Sequence, residues 1–326
     1  MTKEIQRAAQ VLRQKNSFFL CTHLQPDGDA LGSMLALAGV LLEMGKKVVV
    51  YGPEGAPRLY GFLPAVERLE PEASPAASEV AVVLDCGALA RVGPRAAELA
   101  RHPLLINIDH HQTNGGFGHL RLVDRASCAT GEIVRRLIAA LPWPLSEAAA
   151  LNLYVAVASD TGNFQNANTD RRAFELAAEM VGLGVRPAEV ARRLFDDYSL
   201  ARLRLLGLAL GKLETLGGGR LALLSVSRRM LAEAGAELEE CAGLISQISS
   251  LAGVEVAALL TETAGERVEV SLRSRDGVNV ADVAEGFGGG GHPNAAGFAL
   301  EGRLGEVRSQ VVEALGAALG GLEAAV

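Results

Sequence analysis

A chain of 326 residues with 49% hydrophobic and 21% charged side chains has more apolar surface than one core needs, which favours two domains and excludes a disordered protein. A formal net charge of −7 excludes a protein coated in positive charge for bulk nucleic-acid binding, yet it leaves room for a small anionic substrate held by local arginines or by cations. No run of about 18 uncharged apolar residues occurs, so no membrane span is expected.

The opening MTKEIQRAAQVLRQKN patterns as an amphipathic helix and lacks the apolar core of a secretory signal. Cys21, Cys86, Cys128 and Cys241 are scattered without CxxC spacing, which argues against a zinc ribbon or a disulfide frame and fits a reducing cytoplasm. Ser17 to Thr22 (SFFLCT) reads as a short buried strand leading into His23, Asp27 and Asp29. There Pro26 stops regular structure and Gly28 lets the backbone bend between the two carboxylates. An apolar helix over Ala30 to Met44, a strand over Lys47 to Tyr51 and a loop-rich excursion from Pro57 to Pro75 follow. Glu79 to Asp85 (EVAVVLD) and Leu104 to His111 (LLINIDHH) are further buried strands, each ending in ligand-type side chains. Helices are expected over Ser127 to Leu141, Ser146 to Ala158, Thr169 to Gly182 and Val185 to Phe195, with Asp160 just past the end of the second. This alternation describes an α/β domain with a parallel sheet over residues 1–195.

The pattern then changes. Ser199 to Leu216 reads as a helix ending at Gly217-Gly218-Gly219, so residues 196–218 are expected as a helical linker with the glycines as its hinge. Residues 219–326 form a smaller α/β domain: a strand at Arg220 to Val226, helices at Ser227 to Ala234 and Glu237 to Ser250, and a hairpin of Val254 to Glu262 with Arg267 to Ser274. A short helix at Val280 to Glu285, the run Gly288 to Gly291 with His292, a strand at Gly297 to Leu300 and a closing helix from about Gly305 complete it. Gly286-x-Gly288 lacks the strand-turn-helix setting of a dinucleotide fingerprint.

His23 with Asp27 and Asp29, Asp85, Asp109 with His110 and His111, and Asp160 therefore all stand at element ends. Gathered in one place, so many carboxylates would repel one another and drive their pKa values up. Two divalent cations resolve this, with one Asp bridging. Carboxylate and imidazole without thiolate favour manganese, iron, cobalt or magnesium over a structural zinc site, and the imidazoles favour manganese over magnesium.

The motifs His23-x3-Asp27-Gly28-Asp29-Ala30-x-Gly32-Ser33, Asp85, Asp109-His110-His111 and Ser159-Asp160-Thr161-Gly162 resemble those of the DHH phosphoesterases. The run GGGGHPNAAGF resembles the signature of their associated C-terminal domain, and the whole is most similar to the branch of nanoRNases and pAp phosphatases. The resemblance implies an active site in the cleft between the two domains. It makes His23, Asp27 and Asp85 ligands of one cation, and Asp29, Asp85, His110 and Asp160 ligands of a second. His111 becomes the residue facing the phosphoryl group, and Asp109 the one that orients it. Arg273, His292 and Gly289 to Gly291 become the grip on a second phosphate or terminal nucleotide, with Ser274 and Arg275 as further contacts, while Arg91 follows Asp85 closely enough in the sequence to reach a phosphate.

The implied activity is manganese-dependent hydrolysis of short single-stranded RNA or DNA oligonucleotides in the 3′–5′ exonuclease manner, together with dephosphorylation of 3′-phosphoadenosine 5′-phosphate. Rival readings are a cyclic- or linear-dinucleotide phosphodiesterase, a single-strand exonuclease of wider length tolerance, and a non-catalytic nucleotide sensor. A homodimer is left open.

Overall fold

The computed structural model describes residues 2–196, 198–241, 243–275 and 277–320, and the chain divides into two compact units, Met1–Asp197 and Tyr198–Val326. The first unit runs α1 (Thr2–Gln14), β1 (Ser17–Cys21), α2 (Gly28–Glu43), β2 (Lys47–Tyr51), β3 (Leu69–Glu70), β4 (Val80–Leu84), α3 (Ala96–Leu99), β5 (Leu105–Asp109), β6 (Leu120–Val123), α4 (Thr130–Ala139), α5 (Glu147–Asp160), α6 (Arg171–Gly182) and α7 (Pro187–Ala191). Its strands make one parallel sheet in the order β3-β2-β1-β4-β5-β6. Alternation along β1 sends Phe18 and Leu20 into the core under α1, α2, α4 and α5, and Phe19 and Cys21 into a smaller core with Tyr51, Val83 and Leu99 on the other face. The strand order reverses between β1 and β4, and at such a switch point the carboxyl ends of neighbouring strands open a crevice.

Helices α2 and α5 cross at very short range. A Cβ on Gly32 would stand 2.4 Å from the Asn152 carbonyl oxygen, and one on Gly131 would stand 2.7 Å from Ala156 Cβ. Bare backbone at these points lets α2, α4 and α5 converge just below the strand ends.

The second unit runs α8 (Leu200–Leu210), β7 (Glu214–Leu216), β8 (Leu221–Val226), α9 (Arg228–Ala234), α10 (Leu244–Ser249), β9 (Val256–Glu262), β10 (Arg267–Ser274), α11 (Val280–Gly286), β11 (Gly290–His292), β12 (Ala295–Glu301) and α12 (Leu304–Ala318). Its sheet, in the order β11-β12-β10-β9-β8-β7, is antiparallel except for the pair β8 and β9. Leu221 and Leu223 face the core formed with α11 and α12, whereas Ala222 and Leu224 face the one formed with α8, α9 and α10.

Several expectations are corrected here. Helix α8 stops at Leu210, and Glu214–Leu216 is a strand paired with β8. Gly217, Gly218 and Gly219 have φ of 58°, 66° and 92°, a left-handed run that reverses the chain, so the triplet is a hairpin turn inside the second unit and not a hinge. Leu205 and Ala209 of α8 lie in that unit's core, so this part of the expected linker packs as one of its helices. The glycine run is partly a strand as well. Gly290–His292 pairs with β12, and a Cβ on Gly289 or Gly291 would stand 2.2 or 2.4 Å from the carbonyl oxygens of Gly297 or Ala295. Strand β6 was not foreseen, because four residues with Arg121 exposed carry too little pattern.

Candidate metal centre

The carboxyl ends of β1, β4 and β5 deliver His23, Asp85 and the Asp109-His110-His111 run to one place. Helix α2 brings Asp27 and Asp29, and the last turn of α5 brings Asp160. Asp85 sits in the left-handed region at φ 53°, a conformation uncommon for a residue with a side chain and one that concentrates at functional sites. Buried His23, Asp29, Asp85, Asp109 and His110 surround the point, and Asp160 closes one side with part of its surface exposed.

Both outer histidines are fixed through Nδ1. His23 Nδ1 donates to the Leu24 carbonyl at 2.7 Å, and His110 Nδ1 donates to the Ser127 carbonyl at 3.1 Å. That tautomer leaves Nε2 as the lone-pair nitrogen, the arrangement common to metal-binding histidines. His23 Nε2 lies 3.7 Å from Asp85 Oδ2, and His110 Nε2 lies 3.6 Å from Asp29 Oδ2, 3.6 Å from Asp85 Oδ1 and 3.8 Å from Asp160 Oδ2. These separations exceed hydrogen bonds. Two ligands each about 2.1 Å from a shared ion stand roughly 3.0 to 3.4 Å apart at octahedral or tetrahedral angles, so these groups would have to draw in by a few tenths of an ångström to hold a cation between them.

Two trios, His23 with Asp27 and Asp85, and Asp29 with Asp85 and His110, have ligand atoms close enough to hold one ion each, and Asp85 belongs to both. Asp109 and His111 also meet Asp85 in such a trio, but His111 Nδ1 hydrogen-bonds Asp109 Oδ1 at 2.7 Å, and Asn114 donates to Asp109 Oδ2. Both Asp109 oxygens are therefore engaged in hydrogen bonds.

Electrostatics give the same picture. Burial and the neighbouring Asp85 push the Asp29 carboxyl well above its usual range. Burial, opposed by His110 and reinforced by Asp27 and Asp85, raises Asp160 to about 7. Burial alone would lower His110, but Asp160, Asp29 and Asp85 outweigh it and raise it to about 9. Burial would raise Asp85, but His23, His111 and His110 together hold it well below the usual carboxylate range. Negative charge is thus in excess of what the imidazoles offset, and a cation would relieve it.

Asp27 caps α2, accepting from Asp29 N and Ala30 N at 3.0 Å through Oδ1, so its capping and ligand roles are compatible. Asp29 accepts from Thr130 N at 2.6 Å and Gly131 N at 2.9 Å, so it caps α4 from a distant part of the sequence, and Ser33 Oγ donates to it at 2.9 Å. The N-cap position of α4 is Ala129, which makes no side-chain bond, and Glu132 Oε2 accepts from Cys128 N at 3.1 Å. Thr130 Oγ1 donates to Asp85 Oδ1 at 2.9 Å, and Asn168 Nδ2 donates to Asp160 Oδ2 at 3.1 Å. Thr130 and Asn168 were missed as site residues, because only the fold brings them to the acids. Exposed Arg91 accepts from Leu24 N at 2.8 Å through its carbonyl, and its charge acts on His23.

The other expected residues belong to the second unit. Arg273 of β10 and His292 of β11 are both paired with Ala295 of β12, so they stand in one row on one face, roughly 10 Å apart across a small residue. Ser274 Oγ donates to the Pro293 carbonyl at 3.2 Å.

A parallel-sheet unit with this acid and imidazole set, followed by a mixed-sheet unit, agrees with the comparisons. Residues 17–157 match the DHH family, N-terminal domain, and residues 218–320 match the DHHA1 domain. The chain is 36% identical over 323 residues, spanning 96% of its length and 94% of the relative's, to a Thermus thermophilus protein. The chain therefore belongs to the DHH family. That relative is the bifunctional oligoribonuclease and PAP phosphatase NrnA, and a Bacillus subtilis protein of the same name is 24% identical over 87% of this chain and 90% of its own. Among solved structures, an exopolyphosphatase-related protein from Bacteroides fragilis superposes with a TM-score of 0.89 at 25% identity, covering 97% of this chain and 96% of that one.

Proposed function

We propose that this chain is a phosphohydrolase that uses two divalent cations, manganese foremost, to degrade short oligonucleotides and to remove the 3′-phosphate of 3′-phosphoadenosine 5′-phosphate. The observation that carries the reading is the sharing of Asp85 between two ligand trios, in a chain similar over nearly its whole length to the Thermus enzyme of that double activity. In this reading His23, Asp27 and Asp85 hold one cation, and Asp29, Asp85, His110 and Asp160 hold the other. The donor set, oxygen and imidazole without thiolate, suits manganese better than a structural zinc. Bound there, the pair would supply a nucleophile at neutral pH and Lewis acidity toward phosphorus.

The chain's own residues do the rest. His111, held by Asp109, presents its ring to the phosphoryl oxygens and to the departing hydroxyl. Thr130 and Ser33 keep Asp85 and Asp29 from turning away. The row of Arg273 and His292, with Gly289 to Gly291 and Ser274 beside it, grips a second phosphate or terminal base of a substrate a few nucleotides long. The test is metal-free protein supplied with manganese and offered a diribonucleotide, 3′-phosphoadenosine 5′-phosphate, pyrophosphate and polyphosphate in parallel. Turnover of both nucleotides is expected. Hydrolysis of pyrophosphate or polyphosphate with neither nucleotide touched would overturn the substrate assignment.

A further inference from the structure

Strand β5 carries a polar side chain in an unusual place. Leu105, Asn107 and Asp109 share one face of a parallel strand whose every residue is buried, and Asn107 and Asp109 are both 0% exposed. A buried amide is expensive unless its hydrogen bonds are satisfied, and here they are. Asn107 Nδ2 donates to the Cys86 carbonyl at 3.3 Å, which ties it to the turn after Asp85. Asn107 Oδ1 accepts from Asn114 Nδ2 at 2.9 Å, and the same Nδ2 group also donates to Asp109 Oδ2. Asn114 is only 7% exposed, and its Oδ1 accepts from Gly116 N at 2.7 Å, so the amide has one orientation. Asp109 Oδ1 in turn holds His111 Nδ1 at 2.7 Å.

We infer that Asn107 and Asn114 are positioning residues for the reaction: a buried chain running Cys86 carbonyl, Asn107, Asn114, Asp109, His111 sets the tautomer and direction of the His111 ring. The inference rests on the proposed function for the role of His111, but not for the geometry. The two protons on Asn114 Nδ2 are both used, one to anchor and one to hold the carboxylate. Without the second, Asp109 loses the donor that keeps its Oδ1 turned toward His111. His111 itself stands 3.6 Å from Asp85 Oδ1, but the side-chain hydrogen bonds of Asn107 and Asn114 go to Val83, Cys86, Asp109, Gly116 and each other, so loss of the Asn114 donor is expected to leave cation binding in place. The sequence does contain the signal: in LINID two polar residues alternate within an otherwise apolar strand, on the face that reaches His111.

The test compares wild type with Asn114→Ala and with Asn114→Leu, which retains bulk but has no donor. Both are expected to lose kcat on a diribonucleotide by about 10- to 100-fold, the usual range for partners that orient a functional group, with KM and bound manganese unchanged. In a His111→Gln background the same substitutions should change kcat by less than about twofold, because residues acting through one another are not additive. The Nδ1–H resonance of His111, followed in ¹⁵N-histidine-labelled protein without substrate, should be protected in wild type and exchange rapidly in both variants. An equal loss with and without His111, a fall in bound manganese, or an unmoved resonance would each overturn the relay. A wild-type chain that turned over no phosphoester would defeat the proposed function, and the resonance would still decide the relay.

Discussion

Gly32→Ala tests the claim that bare backbone at the crossing of α2 and α5 is what assembles the acidic cluster. The new methyl would lie 2.4 Å from the Asn152 carbonyl oxygen and 3.0 Å from Ala156 N, neither of which belongs to a flexible side-chain end. The helices must part by about 0.6 Å to bring the shorter contact even to 3.0 Å. Overpacking of this kind costs about 1 to 3 kcal/mol, and the helix propensity gained by replacing glycine offsets up to about 1 kcal/mol. A net loss of about 1 to 2 kcal/mol lowers Tm by roughly 2 to 8 °C for a unit of this size. The same displacement carries Asp29, three residues earlier on α2, away from Asp160 at the end of α5, and manganese affinity should fall about 10- to 100-fold. Calorimetry with and without manganese and isothermal titration read both effects. Gly39→Ala on the same helix is the control, since no atom lies within 4 Å of its Cβ position and it should be neutral or slightly stabilising. A Gly32→Ala protein that melted and bound manganese like wild type would refute the reasoning.

Asp85→Asn should reduce every phosphoester activity together to below about one-hundredth, because Asp85 serves both ligand trios, and steady-state kinetics on two substrates checks this. Arg273→Ala should raise KM for nucleotides about tenfold or more with kcat nearly unchanged, the mark of a binding contact. In metal-free protein, Asp160 raised to about 7 and His110 raised to about 9 both mean that the folded chain binds protons the unfolded chain has released. The Asp160 contribution is fully present below the unfolded carboxylate range and is lost as pH rises through about 7, and the His110 contribution is lost between about 6.5 and 9. Metal-free Tm should therefore fall as pH rises over that span, while the increment in Tm on adding manganese grows from about pH 5 to about pH 8, and paired melts with chelator or manganese measure both.

Much of the first unit was legible because its logic is local. A buried apolar strand followed at once by a carboxylate or imidazole announces both a parallel strand and the edge on which chemistry sits, as with VAVVL before Asp85 and LINID before His110. What could not be read depends on partners far away in sequence. Asp29 looks like a second capping residue of its own helix, yet its bonds go to Thr130 and Gly131, 101 and 102 residues on. The leucine-rich stretch after Ser199 continues helical spacing past Lys212, and only pairing with Leu221 to Leu223 makes Glu214–Leu216 a strand. At the glycine run, carbonyl oxygens of β12 pressed against Gly289 and Gly291 exclude side chains, a constraint that only the strand pairing supplies.

Asp29 answers to two masters: the start of α4 depends on its two carboxyl oxygens, and so does any ion beside it. A descendant that abandoned chemistry by losing this carboxyl group would also uncap a helix in the middle of the unit. Silencing the centre in this way should therefore leave a less durable protein, and an inert copy of the scaffold would be expected to keep its acid at position 29 long after losing its turnover.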